Sequence, residues 1–167
     1  MYDELSSVDI RKMQEEIDQI LKERRPKCVE DLKTARGFGD LSENYEYKAA
    51  KQELRRCDSR LRYLKKMIET AKVIKPVSAS DTVGLFDTVE VYFEDEGESD
   101  TYRIMTTLRE DVMSGIISKE SPLGRAVMGH KVGDRVKVHA SDTVEYFVQI
   151  RSLTKGTDDD SLPIRSY

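Results

Sequence analysis

The chain has 167 residues, 36% of them charged and 38% hydrophobic, with a net charge of −4 and a mean hydropathy of −0.61. That is enough chain for one ordinary domain or two small ones, which argues against a single large catalytic cleft, and the charge content points to much exposed helix surface rather than one thick core. No run of about 18 apolar residues occurs and Met1-Tyr2-Asp3-Glu4 is neither basic nor apolar, so signal peptide and membrane span are not expected and a cytoplasmic location is.

Charge divides unevenly along the chain. Residues 1–75 carry 18 basic against 15 acidic side chains, and residues 76–167 carry 10 against 17. Two modules with different partners follow from this asymmetry, whereas a simple DNA binder would need a far larger positive excess.

In chain order, Ser6 and Asp9 have the spacing of a capping box, which predicts a helix start. Ile10, Met13, Ile17, Ile20, Leu21, Cys28, Leu32 and Ala35 then form a loose apolar stripe. Pro26 lies inside it, lacks a backbone N–H and clashes with the preceding turn, so a kink is expected there. Gly37-Phe38-Gly39-Asp40-Leu41-Ser42-Glu43-Asn44 follows, with glycine suited to a left-handed C-cap and Asp40 or Ser42 to the next N-cap.

Tyr47, Ala50, Leu54, Cys57, Leu61, Leu64, Ile68 and Ala71 are spaced by threes and fours, the seam of a coiled coil. Lys51, Arg55, Arg56, Arg60, Arg62, Lys65 and Lys66 flank it and read as a solvated face. A short connection between two such helices makes them antiparallel neighbours, a thin hairpin over residues 1–75. Cys28 and Cys57, with no second pair to complete a zinc site, read as reduced buried thiols on its facing seams.

Lys75-Pro76-Val77-Ser78-Ala79-Ser80 reads as a linker, and beyond it the apolar period becomes two. Val89, Val91 and Phe93 alternate with Glu90 and Tyr92, Asp95-Glu96-Gly97 is a hairpin turn, and Tyr102, Ile104, Arg135 to Val138 and Val144 to Ile150 read as further strands. Ser121-Pro122 opens and Gly129 closes a short helix. Residues 76–155 therefore form a β-rich domain, and residues 156–167 a mobile tail. The fold class is α+β.

Gly39-Asp40-Leu41-Ser42-Glu43-Asn44-Tyr45-Glu46-Tyr47-Lys48-Ala49-Ala50-Lys51 resembles a signature of the GreA/GreB family of bacterial transcript-cleavage factors. Gly115-Ile116-Ile117-Ser118-Lys119-Glu120-Ser121-Pro122-Leu123-Gly124-Arg125-Ala126, followed by Val132-Gly133-Asp134, resembles a second, and Arg24-Arg25-Pro26 matches a third, shorter element. The resemblance implies an N-terminal antiparallel α-helical coiled-coil hairpin followed by a C-terminal FKBP-like domain. It also implies a function: binding to bacterial RNA polymerase, insertion of the hairpin tip into the secondary channel, and stimulation of the polymerase's own cleavage of backtracked RNA.

By composition alone, Asp40 and Glu43 form a capping box before a long helix. In the family the matching carboxylates reach the polymerase active site and help hold a Mg2+ shared with the polymerase, so the resemblance implies an assisting catalytic and metal-binding role. Carboxylates i and i+3 at a helix start share a face, which would let both converge on one ion. Arg36 and Lys51 match basic positions and are assigned to the nascent RNA 3' segment, with a solvated helix face as the alternative. Tyr45 and Tyr47 are candidates for stacking on a base, although Tyr47 also continues the seam and Tyr45 stands where a smaller residue is frequent.

Glu120, Ser121 and Pro122 match the polymerase-docking segment, while Ser-Pro is also an ordinary helix start. A monomer that holds no cofactor stably by itself is expected. Two other readings stay open: an inhibitor of polymerase on the same scaffold, whose tip would carry additional acids, and an FKBP-like peptide-binding or isomerase protein.

Overall fold

A computed structural model of the protein describes residues 4–39, 44–75 and 78–165. Asp40, Leu41, Ser42 and Glu43, and Pro76 and Val77 of the expected linker, lie outside the described residues. The chain forms two compact units, one built of Ile10–Ala71 and the other of Glu4–Asp9 together with Lys72–Tyr167. Residues 4–9 thus belong with the C-terminal unit rather than with the hairpin, because β1 (Glu4–Leu5) pairs in parallel with β2 (Lys72–Val73).

The helical unit takes up most of α1 (Ser7–Gln19), then α2 (Arg25–Arg36) and α3 (Tyr45–Thr70). The capping box that starts α1 is reciprocal: Ser6 N–H donates to Asp9 Oδ2 at 3.0 Å and Asp9 N–H to Ser6 Oγ at 3.1 Å. Between α1 and α2, Ile20–Arg24 form a π-helical stretch in which Arg25 N–H reaches back to Ile20 O. The break expected at Pro26 takes this form, one turn earlier. A wide turn moves the carbonyls away from the proline ring, which then sits in the first turn of α2, where its missing N–H is cheapest. The extra residue also resets the stripe, so Ile20 and Cys28 are buried while Leu21, expected on the seam, is 44% exposed.

α2 packs along α3 with Cys28, Ala35 and Cys57 buried, and Leu64 and Met67 are buried farther along α3. Ion pairs flank these residues. Arg60 makes a bidentate bond to Glu16, at 2.7 and 2.8 Å, and Arg25 bonds Asp58 at 2.9 Å. Arg60 was read as part of a solvated face; its side chain is only 12% exposed, because it bridges α1 and α3. Burial of the Cys28 thiol, with Cys57 opposite, raises its pKa, and both cysteines are free.

The second unit is a five-stranded mixed sheet built from β3 (Thr88–Phe93), β4 (Glu98–Met105), β5 (Ile116–Ser118), β6 (Arg135–His139) and β7 (Glu145–Thr154). Its order is β5-β4-β3-β7-β6, antiparallel except for the parallel β4/β5 pair. Strand alternation puts Val89, Val91, Ile104, Val136, Val138, Val148 and Ile150 on one buried face, covered by Leu123 and Val127 of α4 (Pro122–Val127). The class is the α+β arrangement that the resemblance implies.

The segment after Lys155, expected to be mobile, is held on this unit. Gly156 N–H donates to Asp87 Oδ1 at 2.9 Å, Arg103 bonds Asp159 at 3.2 Å, Arg165 N–H donates to Leu108 O at 2.7 Å, and Leu162 packs against the core. Arg109 is the anchor, with its guanidinium buried over the Phe86 ring. It meets Asp9 Oδ1 at 2.7 Å, Ser6 Oγ at 3.0 Å, Asp158 Oδ1 at 2.5 Å and Asp159 O at 3.2 Å.

Candidate functional site

The helical unit places its cations around its tyrosines at the start of α3. The N-cap of this helix is Asn44: its Oδ1 accepts from Tyr47 N–H at 3.0 Å while its Nδ2 donates to Ala35 O at 2.7 Å. One side chain therefore caps α3 and ties it to the end of α2. The expectation that Asp40 or Ser42 is that cap is corrected, since Asn44 takes the position. The shared face expected for Asp40 and Glu43 falls on residues outside those described. The left-handed glycine expected in this connection is Gly39, with a φ of 112°, while Gly37, the C-cap of α2, keeps right-handed dihedrals.

Arg36, near the end of α2, and Lys51, two turns into α3, both lie over the ring of Tyr47, at 5.8 and 5.7 Å from its centroid. The two residues assigned to RNA are thus brought together around one half-buried aromatic, and both are exposed. Tyr45 is 82% exposed with Lys48 Nζ at 5.6 Å from its ring centroid. Cation–π contacts of this kind fix the side chains loosely, at about 0.5–1 kcal/mol each when exposed, and leave the charges available to an anion.

In the sheet unit, the residues assigned to docking surround the start of α4. Ser121 Oγ accepts from Gly124 N–H at 3.0 Å and donates to Ser118 O at 2.7 Å, and Pro122 is at the first helical position. Gly124 is required here, because a Cβ would lie 2.2 Å from Ser118 O. Glu120 is exposed beside the cap and bonds Arg125 at 3.1 Å. Lys119, next to it, bonds Glu4 and holds that carboxyl below the usual range. So Ser121 is occupied with capping, while Glu120 and Pro122 present themselves to solvent.

Sequence reasoning missed Asn44 as cap and Arg109 as anchor. Asn44 was the last residue of the connection and could have been found by testing each polar residue before Tyr45 as the acceptor for an N–H three positions on. Arg109 had no signal, since Leu108-Arg109-Glu110 resembles any surface turn. Among the described residues, no cluster of His, Cys, Asp or Glu could hold a metal ion, and no helix is long and apolar enough to cross a membrane.

Two family models cover most of the chain: "Transcription elongation factor, N-terminal" over residues 4–73 and "Transcription elongation factor, GreA/GreB, C-term" over residues 78–155. Among relatives, transcription elongation factor GreA of Oenococcus oeni is 35% identical over 152 residues, covering 90% of this chain and 94% of that protein. GreA of Streptococcus thermophilus is 38% identical over 146 residues, covering 87% and 91%. Of solved structures, that of the GreA factor homolog 1 protein of Thermus thermophilus aligns over 93% of this chain and 100% of its own, at 21% identity and a TM-score of 0.42. Both signatures read from the residues lie inside the matched segments, in the same order, and the chain belongs to the GreA/GreB family of transcription elongation factors.

Proposed function

We propose that this elongation factor acts on RNA polymerase stalled on a backtracked transcript, delivering Asp40 and Glu43 through the secondary channel so that the polymerase hydrolyses the extruded RNA. The observation that carries this reading is the capping of α3 by Asn44. A capping box was the rival account of the two carboxylates, and with Asn44 as cap the helix has no need of Asp40 or Glu43. Their acidity, in a connection flanked by Arg36, Lys48 and Lys51, then calls for a function beyond local structure.

The division of labour follows from the donors. Carboxylates are hard oxygen ligands that suit Mg2+, but two of them hold it weakly, because this ion keeps several waters and is usually completed by substrate phosphate. When shared with the polymerase and RNA, Mg2+ supplies charge neutralisation and an activated water for phosphodiester hydrolysis. The chain's own part is to carry the carboxylates on a rigid support: α3 has 26 residues, about 39 Å at about 1.5 Å each. Arg36 and Lys51 hold the 3' segment of the nascent RNA by its phosphates, with Tyr47 setting their spacing. Glu120 and Pro122 dock on the polymerase, positioned by the Ser121 cap. The protein works in the cytoplasm as a monomer and has no nuclease activity alone.

Stalled complexes with a defined backtracked RNA test this directly. Asp40→Asn and Glu43→Gln are expected to bind polymerase like the unmodified protein and to lose stimulated cleavage by orders of magnitude, with partial recovery at raised Mg2+. Cleavage at the unmodified rate by both variants would sink the reading.

A further inference from the structure

Tyr45 is an exposed aromatic with no part in the fold. Tyr45 and Tyr47 are two residues apart, about 200° around a helix with 3.6 residues per turn, so while Tyr47 is half-buried at the seam, Tyr45 points away from it and is 82% exposed. A ring on the first turn adds nothing to helix propensity and here buries almost nothing. Phe38, two residues before the segment 40–43, is 67% exposed. Tyr45 and Phe38, the exposed aromatic rings among the described residues, thus flank the acidic connection on either side in sequence. The neighbouring charges are Arg36, Lys48 and Lys51, with Glu46 the one acid in the first turn of α3.

We infer that Tyr45 is a stacking platform for a base of the extruded RNA, resting on the reading that this end of the helical unit meets that RNA. Cations that track phosphates, interleaved with open aromatic faces, are the composition of a single-strand site, in which each base has a π-face to offer and no sequence-specific hydrogen bond is needed. Lys48 lies against the Tyr45 ring, its Nζ 5.6 Å from the centroid. That places a positive charge where the phosphate joined to a stacked nucleoside would run, while the open remainder of the ring takes the base. Arg36 and Lys51, gathered around Tyr47, continue the phosphate track. The ligand class is a nucleobase of single-stranded RNA, with purines held more strongly than pyrimidines because their stacking area is larger. Tyr45 thereby sets the retention of the extruded segment and confers a base preference on cleavage that the carboxylates cannot.

The test uses the full-length protein with backtracked polymerase complexes that differ only in whether the extruded nucleotides are purines or pyrimidines. Tyr45→Ala is expected to raise the concentration of factor needed for half-maximal cleavage by about tenfold on the purine complex, and less on the pyrimidine one, with the saturated rate unchanged. Tyr45→Phe and Tyr45→Trp should retain the unmodified behaviour, since the ring and not the hydroxyl does the stacking. A 6-thioguanosine at the RNA 3' end should photo-crosslink to the peptide bearing Tyr45. Unchanged concentration dependence for Tyr45→Ala, or an equal loss in Tyr45→Phe, or a crosslink elsewhere, overturns the inference. Asp40→Asn separates the two ideas: if it still stimulates cleavage, the role of the carboxylates falls, while the crosslink continues to decide Tyr45.

Discussion

The helical unit and the sheet unit both carry exposed ion pairs, but only the sheet unit withdraws an arginine wholly from water. In the helical unit most of the charge is exposed: Lys22 and Asp18, or Arg56 and Glu53, form pairs with more than half of most side chains open to water. Such pairs contribute about 0–1 kcal/mol, so stability rests on the narrow seam of Cys57, Leu64 and Met67. In the sheet unit one arginine is fully withdrawn from water, with Nη1 and Nη2 hydrogen-bonded and Nε held beside Asp9 as an ion pair. A buried charge of that kind is expensive to disturb, because removing one partner strands the others. The contrast teaches where the molecule tolerates change: exposed pairs such as Arg56–Glu53 in the one unit or Lys131–Asp81 in the other can be lost cheaply, while the sheet unit closes around the buried Arg109 network.

Substitutions can break this contrast or sharpen it. The largest effect is expected at the open end, on activity alone: Asp40→Asn together with Glu43→Gln should lower stimulated cleavage by orders of magnitude while the thermal midpoint moves little. A midpoint lowered by many degrees would show that the connection is structural after all. In the sheet unit, Arg109→Ala should cost about 3–5 kcal/mol, read from urea unfolding, since the fully buried Asp9 would be left without its counter-charge and the half-buried Asp158 without its partner. A loss under 1 kcal/mol would mean that the network is no more than a surface pair.

Within the helical seam, Leu64→Ala should cost about 2–5 kcal/mol by opening a cavity at a fully buried site, whereas Arg56→Ala, on an exposed pair, should stay within about 0.5 kcal/mol. If both cost the same, exposed charge contributes as much to this unit as its buried seam. Asn44→Ala should cost about 1 kcal/mol, through loss of the cap and of its bond to Ala35; Asn44→Asp, which keeps the acceptor, should recover part of it.

The smallest effect concerns the tail. Hydrogen bonds from Ser161, and then the Arg103 guanidinium, hold the Asp159 carboxyl down at about 2, against an ordinary value of 3.8. A depressed carboxylate stabilises the folded form above its unfolded pKa, and that contribution is lost as pH falls through the folded value. A carboxyl-carbon NMR titration of Asp159 should therefore show it ionised at pH 4 and protonating as the pH falls from about 3.8 toward 2. A midpoint at or above 3.8 would contradict the contacts with Ser161 and Arg103.

Residues close in sequence announced much of this. The three-four spacing from Tyr47 through Leu64 specified a helix with one buried edge, the alternation of Val89, Val91 and Phe93 a strand with one buried face, and Ser6 with Asp9, or Ser121 with Pro122, a helix start. Each is legible because its partners lie within four residues, where backbone geometry alone dictates which side chains meet. The pairing of Glu4 with Lys72, the reach of Asn44 back to Ala35, and the bond of Arg109 to Ser6, 103 residues away, have no such local period. They exist only because the folded chain brings distant groups together, and those it buries, such as Arg109, must find a partner there. Tertiary structure therefore decided which residue caps α3.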